Sequence, residues 1–527
     1  MGRAFNHIRA RGKVLSCYKG ARSTPPPMLS ALFDLLLRRV LLASLPPTTR
    51  EACRAHPAVR AVLRFRFAYL FAFHGPVLVP LLEALGGQED PALSVLSLGV
   101  ASVAMIAADV PTGLYADRRG PHAALRLGLR LTIVVLLAFC ALTLLRAHAL
   151  AQGQRGAWLP GTIGLLVLEA AIGVSLALLS GADTVLFLGV LRRSGIPGLQ
   201  TTGTEGLGSS IRYLGTMTSV AFGALLYDAA AHWLPNPAWR LAAQSGLYLL
   251  TLVGQLVALR ALAAVPDAAA PAPPGSPPAR RPGFHEIMRG IHALSRFPGF
   301  AARMWLLCLA AAGSLFAVYL FQSPLSRLSI QLARQSHWWW PLYTVTAVCG
   351  YWACSRGSRD AHRTHDREQH APDGKRAVLS TRLTLLTLLL LGSYPLTAAL
   401  AHTLGTPGVD RVAFVLTAAG ICLACNYLRG FVEPYSASTL ISFTQTHNLA
   451  VPASIISGFN SLKRAMHFAL SMVFYAMRHT QTQLPASAPA IDADRALARL
   501  MQFVTVGLAL LSLPALLTLY ARRRPRL

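Results

Sequence analysis

Long apolar runs, each interrupted by a short polar or Gly/Pro-containing interval, recur along the whole chain. An α-helix needs about 20 mostly apolar residues to cross the hydrocarbon of a bilayer. About twelve such windows can be placed, near 62–85, 93–115, 125–146, 160–188, 206–230, 241–263, 301–322, 338–355, 378–401, 409–432, 453–477 and 497–520. The runs are continuous and do not alternate in stretches of about ten residues, which argues against a membrane β-barrel. The pattern predicts an all-α integral membrane protein with twelve transmembrane helices in two six-helix bundles.

The break between the bundles is the stretch AAVPDAAAPAPPGSPPARRPG at 263–283, whose Pro, Ala and Gly content suits a semi-extended linker. Beyond it, Phe284, Ile287, Met288, Ile291 and Leu294 share one helical stripe, predicting a helix that lies along the membrane surface. The expected organisation is a basic N-terminal segment with a surface helix over 1–58 and a six-helix bundle over 59–263. Linker and interfacial helix follow over 264–300, then a second bundle over 301–521 and a basic tail over 522–527.

Composition fits a chain dissolved largely in lipid, being 54% hydrophobic and 13% charged where globular proteins carry about 25% charged residues. The net charge of +28 changes the picture only through its location. With both termini inside, only about eight Lys or Arg fall on the outer side, the asymmetry expected of a cytoplasmic inner face. Trp158, Trp233, Trp239 and Trp338 to Trp340 then fall at outer edges, and Trp305 and Trp352 at inner ones, where amphipathic rings prefer to sit. The expectation is an integral plasma membrane protein, with a bacterial inner membrane the setting, both termini cytoplasmic, and basic tracts facing anionic lipid instead of nucleic acid. The head lacks the uncharged core of a signal peptide, since Asp34, Arg38 and Arg39 break its apolar stretch. Six of the eight cysteines lie in or beside spans as small hydrophobes, so no disulfide framework is expected.

The two halves carry echoes of one another. Ser209 and Arg212 of GSSIRYLG in the fifth span match the spacing of Ser461 and Arg464 of GFNSLKRA in the eleventh. Gly181 and Asp183 at the end of the fourth span likewise match Gly430 and Glu433 at the end of the tenth. Internal repeats of this kind are common in transporters whose substrate site lies between them.

One loop carries a more specific signal. In ADVPTGLYADRRG, at 108–120, apolar helix gives way abruptly to Asp117, Arg118 and Arg119. Pro111 lacks a backbone N–H and Gly113 a side chain, so the helix is expected to bend here and admit a close neighbour. The stretch GLYADRRG resembles the loop motif of the major facilitator superfamily, Gly-x-x-x-Asp-Arg-x-Gly followed by basic residues, with Gly113, Asp117, Arg118 and Gly120 matching. Pro121 and His122 stand where that family usually has Arg or Lys. DVPTG, SGAD at 180–183 and RGFVEP at 429–434 are similar to segments of a bacterial branch of drug and metabolite proton antiporters. The resemblance implies alternating access, with Asp117 and Arg118 in a charge latch that holds the halves in the outward-open state. It also implies a cavity lined chiefly by the first, fourth, seventh and tenth spans.

Charged groups inside spans cost roughly 2.5–3.5 kcal/mol at the centre on insertion scales and are functional candidates by default. Near mid-membrane lie His74, Glu169 and His467; toward the inner side lie Asp109, Asp183, Arg212, Asn426, Arg429 and Arg464. Glu169, His74, His467, Asn426 and Arg429 are the expected substrate- and proton-binding residues. Gly113, Asp117, Arg118, Gly120, Asp109, Pro111, Asp183, Arg212 and Arg464 are the expected gating residues. Plainer roles stand beside these: snorkelling arginines, a packed His74, and an i,i+4 pair of Arg429 with Glu433.

Cys422 and Cys425, and His362, His365 and His370, have metal-like spacing, yet neither group has the second pair of ligands a zinc site needs. No phosphate loop of the GxxxxGK[ST] type occurs, so ATP is not expected to drive the protein. The reading is therefore a monomeric secondary transporter, not an enzyme, with no cofactor and no metal, exporting a small organic molecule against protons. Uptake of a nutrient or peptide-like solute is the rival direction. A non-transporting receptor or an intramembrane enzyme is the rival class, weakened because no appended domain or catalytic cluster is visible.

Overall fold

The computed structural model describes residues 47–86, 91–154, 156, 158–196, 203–266, 297, 299–315, 339–368, 420, 423–437, 439–440, 456, 459–470, 472 and 506–519. The predicted surface helix of the head, the interfacial helix, the span near 378–401 and the tail lie outside the described residues, as do Cys422, His370 and the side chains of His362 and His365.

All regular structure among the described residues is helical. In chain order α1 is Pro47–Ala55, α2 Pro57–Ala68, α3 Leu78–Gly86, α4 Pro91–Arg119, α5 Pro121–Ala151 and α6 Leu159–Leu179. Next come α7 Ala182–Ser194, α8 Gly203–Trp233, α9 Pro237–Ala263, α10 Gly299–Leu315 and α11 Trp339–Glu368. Residues 423–437 form α12, 459–470 form α13 and Val506–Leu519 form α14. Among the described residues, four stretches are long and apolar enough to span a membrane, namely Leu96–Arg119, Pro121–Ala151, Leu159–Ser194 and Pro237–Ala263. The outward faces of the helices are oily: Val134, Leu145, Ile163, Val167 and Leu510 are all exposed. Apolar surface outside and polar groups inside is the inversion a bilayer demands.

Several predicted spans differ from single helices. The first, expected over 62–85, is broken: α2 ends at Ala68, a short 3-10 turn covers Gly75–Val77, and α3 continues outward from Leu78. The fourth breaks at Ser180-Gly181, where Gly181 adopts φ 73°, a backbone region that residues with a side chain rarely visit. By contrast α4 runs unbroken through Pro111 to Arg119, so the expected hinge is a continuous helix.

The helices pack closely where side chains are smallest. α4 lies against α6, α5 against α9, and α8 against both α2 and α11. Cβ atoms added to Gly215 and Gly223 of α8 would collide with the carbonyl oxygens of Phe67 and Phe73. Small residues at these points let two backbones touch, the main source of attraction between helices in lipid. One buried apolar cluster joins both halves, including Leu98, Phe139, Leu165 and Tyr248 with Cys308, Tyr343, Met466 and Leu470.

Candidate functional site

A helix interrupted in the membrane exposes backbone groups that must find partners inside the protein. At the break in the first span those partners come from α8 and α9. Thr216 shares its hydroxyl proton between the Leu70 carbonyl at 3.3 Å and that of Arg212 in its own helix at 3.2 Å, and the Ala72 N–H donates to Ser219 Oγ at 3.0 Å. Gln255 Nε2 donates to the Tyr69 carbonyl at 3.0 Å and reaches that of Phe71 at 3.5 Å. Thr251 gives its proton to Leu247 and accepts from the Phe73 N–H at 3.1 Å. Its oxygen also lies 3.1 Å from His74 Nδ1. With the hydroxyl proton already donated, His74 Nδ1 must carry the hydrogen, which leaves Nε2 as the lone-pair nitrogen of the neutral ring.

The break opens onto a cavity of about 240 Å³, at the depth that the sequence predicts to be mid-membrane. His74, Glu169 and His467, which the sequence places at one depth on three different spans, all line it. Apolar and aromatic side chains form most of the remaining wall, among them Phe71, Leu136, Phe139 and Ile172. Tyr248 stacks on His74 at 5.0 Å between ring centroids and on Phe139 at 5.2 Å. Glu169 is 4% exposed, and among the described residues no hydrogen bond or ion pair involves its carboxylate. The buried Tyr248 hydroxyl and Gln255 Oε1 also lack partners among the described residues. His467 Nδ1 lies 3.3 Å from Ser102 Oγ, whose proton goes to the Leu98 carbonyl at 3.0 Å, so this ring too donates from Nδ1. An apolar pocket with a few convergent polar groups is the usual form of a small-molecule site.

Below it lies a second cavity of about 170 Å³, sharing Tyr69, Leu70, Met105, Leu176, Leu179 and Arg464 with the first. Its walls are charged. Arg66, wholly buried in α2, pairs with Asp183 of α7 at 3.1 Å, donates to Thr184 at 3.2 Å and lies over the Phe187 ring at 4.1 Å. Tyr69 donates to the same Asp183 oxygen at 2.7 Å. Arg212 of α8 approaches Asp183 at 3.6 Å and crosses to the C-terminal half, where it pairs with Glu433 of α12 at 3.1 Å. Two more links join the halves: Ser461 donates to Asp109 at 2.6 Å and Asn460 to Ser180 at 2.9 Å.

The remaining predicted residues are placed as follows. Asp109 is fully buried facing α13, and Arg464 of α13 lines both cavities. Gly113 is buried in α4 and Pro111 is exposed; Asp117 and Arg118 occupy the last turn of that helix. Gly120 has φ 92°, which favours glycine at the N-cap of α5. His122, standing where the resemblance leads one to expect a solvated cation, is buried, its Nε2 2.8 Å from the Leu262 carbonyl near the end of α9. Asn426 and Arg429 line neither cavity, since they lie about two turns and one turn before Glu433 on α12.

Sequence reasoning passed over Arg66, Tyr69, Thr251, Gln255 and Lys463. Arg66 was the most legible, as a charge within an otherwise apolar window. The polar partners of the break carry no signal by themselves, because Thr and Gln are unremarkable in spans until a backbone gap faces them.

No protein-family model matches the chain, and no curated protein matches it. Among solved structures the chain is similar to a bacterial homologue of the iron transporter ferroportin in its outward-facing state, with a TM-score of 0.51 and 16% identity over 88% of this chain and 98% of that one. The structure of such a homologue with soaked iron aligns over the same shares at 15% identity and a TM-score of 0.47. The first likeness shows the fold alone, a helical arrangement like that of the solved homologue. The comparisons do not single out the drug-antiporter branch that DVPTG and RGFVEP resemble.

Proposed function

We propose that the chain is a secondary transporter that works by alternating access between bundles 59–263 and 301–521, of six helices each. In this reading it moves a small organic molecule through the mid-membrane cavity in exchange for protons. The observation that carries the reading is the convergence of His74, Glu169 and His467 on one apolar cavity at the break in the first span. Three titratable groups on three spans, placed between halves that touch at Ser461 and Asp109, form what alternating access requires: one site reachable in turn from each side. Export is the direction that the DVPTG and RGFVEP resemblance favours.

Glu169 is the proton-coupling group in this scheme. Proteoliposomes carrying Glu169→Gln are expected to lose accumulation driven by a pH gradient while keeping counterflow exchange. Joint loss of exchange and binding would assign the carboxylate to substrate recognition, and unchanged driven transport would remove it from the mechanism.

A second reading, transport of a divalent metal cation, is favoured by the fold shared with a homologue of an iron transporter and by two imidazoles and a carboxylate on one cavity. Against it, no group of three His, Cys, Asp or Glu side chains among the described residues is gathered to hold a metal ion. Flux of Mn²⁺ into liposomes loaded with a metal-quenched dye, abolished by His74→Ala and His467→Ala, would favour this second reading.

A further inference from the structure

We propose that the inner cavity is an anion subsite of the transport path, so that the substrate is an amphipathic organic anion. Its carboxylate, or a comparable anionic group, is held by Lys463 and Arg464, and its apolar body lies in the neighbouring mid-membrane cavity. This rests on the transport reading above and names its substrate class.

The charges around the inner cavity do not balance. Among the described residues, Arg212, Lys463 and Arg464 line it with Asp183 and Glu433, while Arg66 is paired with Asp183 and Asp109 lies against Ser461 outside the lining, so an excess cation is left even with every acid ionised. Arg429 adds further positive charge near Glu433. Pairing sharpens the imbalance: Asp183 is taken by Arg66 and Tyr69, and Glu433 by Arg212. Lys463 and Arg464 feel the charge of both Glu433 and Asp109, yet Glu433 is bonded to Arg212 and Asp109 to the Ser461 hydroxyl, and neither acid forms a salt bridge with these two cations. Lys463 has the ring of Phe459 at 5.1 Å, and neither it nor Arg464 has a hydrogen-bonded carboxylate among the described residues.

Cations facing a cavity inside a membrane protein are costly without a counter-charge, and one delivered by a ligand converts that cost into affinity. Arg464 lines both cavities, so an anion held there has Phe71, Leu136, Phe139 and Tyr248 within reach of its body. Glu169 offers no positive charge to an anion, whereas Lys463 and Arg464 do, which fixes the orientation with the anionic head at the inner cavity and the apolar body in its neighbour.

The probe is 1-naphthoate, with 1-naphthamide as its neutral isostere and 1-naphthylmethylamine as its cationic one. Binding to the purified full-length protein is measured by equilibrium dialysis and by thermal shift, since a ligand of the folded state raises apparent stability. Naphthoate is expected to bind at least tenfold more tightly than the amide and the amine. Lys463→Gln and Arg464→Gln should each weaken naphthoate about tenfold or more, leave the amide unchanged, and leave the protein monodisperse; Arg464→Lys should restore part of the loss.

Equal binding of the three wild-type probes would overturn the proposal without recourse to any variant. So would parallel weakening of acid and amide by the substitutions. Displacement by phosphatidylglycerol with no response to naphthoate would also overturn it, in favour of a lipid headgroup. Naphthoate binding that depends on Lys463 and Arg464, with no flux in proteoliposomes, would keep the subsite and sink the transport reading. Driven flux of neutral or cationic solutes, indifferent to both substitutions, would keep transport and sink the subsite.

Discussion

The two cavities sit one above the other, yet they handle polarity in opposite ways. In the inner one, two pairs of opposite charges are closed, Arg66 with Asp183 and Arg212 with Glu433, and Lys463 and Arg464 stand outside them. In the mid-membrane one, Glu169 and the Tyr248 hydroxyl face an apolar wall with no protein partner among the described residues. A paired charge in low dielectric locks its elements together, because separating the pair strands both members. An isolated carboxyl or hydroxyl locks nothing and remains available to a ligand or a proton. The closed pairs of the inner network are thus suited to hold or release the halves, and the upper cavity, with Lys463 and Arg464 at its inner end, to bind.

The sharpest way to break this contrast is to strand Arg66. Asp183→Ala removes its carboxylate partner and is expected to cost about 3–5 kcal/mol, read as loss of the monodisperse peak in size exclusion or as a collapsed melting temperature. The double variant Arg66→Met/Asp183→Leu should recover most of that loss. If it melts as low as the single variant, the pair is not the cause.

Backbone contact comes next. Gly215→Ala pushes a methyl into the Phe67 carbonyl at the broken span and should cost about 1–3 kcal/mol. Gly246→Ala on α9, where nothing lies within 4 Å of an added Cβ, should stay within about 0.5 kcal/mol of wild type. Equal melting temperatures for the two would deny the close approach of α8 to the break.

Cutting the bridge between the halves should matter less for stability. The Glu433 carboxylate is 32% exposed, and a pair open to solvent is worth about 1 kcal/mol or less. Glu433→Gln should nevertheless free the inner face, seen as severalfold faster maleimide labelling of Ala437→Cys in a background without native cysteines. Unchanged labelling would remove this pair from gating. The smallest stability effect belongs to Asp117→Asn in the last turn of α4, within about 0.5 kcal/mol, with turnover in proteoliposomes reduced. Normal turnover would end the latch role implied by the resemblance of GLYADRRG.

Much of the candidate site was legible residue by residue, because a charge inside an apolar run is conspicuous wherever it points. His74, Glu169, His467, Asp109, Asp183, Arg212 and Arg464 were all visible in this way, and the cavities gather all of them but Asp109, which meets Ser461 instead. Which neighbour each one meets was not legible. Glu433 sits four residues from Arg429, which suggests a pair on one helix, yet it meets Arg212, distant in sequence on α8. Asn426 and Arg429 share the tenth span with Glu433 and still stand apart from both cavities.

By itself the sequence determined the helical character of the chain, the apolar length of its helices and the presence of titratable groups within them. These are local properties, set by about 20 consecutive residues and the cost of burying charge in lipid. Only the tertiary structure decided that the first span breaks while the helix containing Pro111 does not. A gap in a helix survives in the membrane where other helices supply hydrogen bonds, and Thr216, Ser219, Thr251 and Gln255 come from α8 and α9, brought alongside by packing at Gly215, Gly223 and Gly254. That coincidence of small residues and polar partners across some 150 positions of chain exists only once the helices have met.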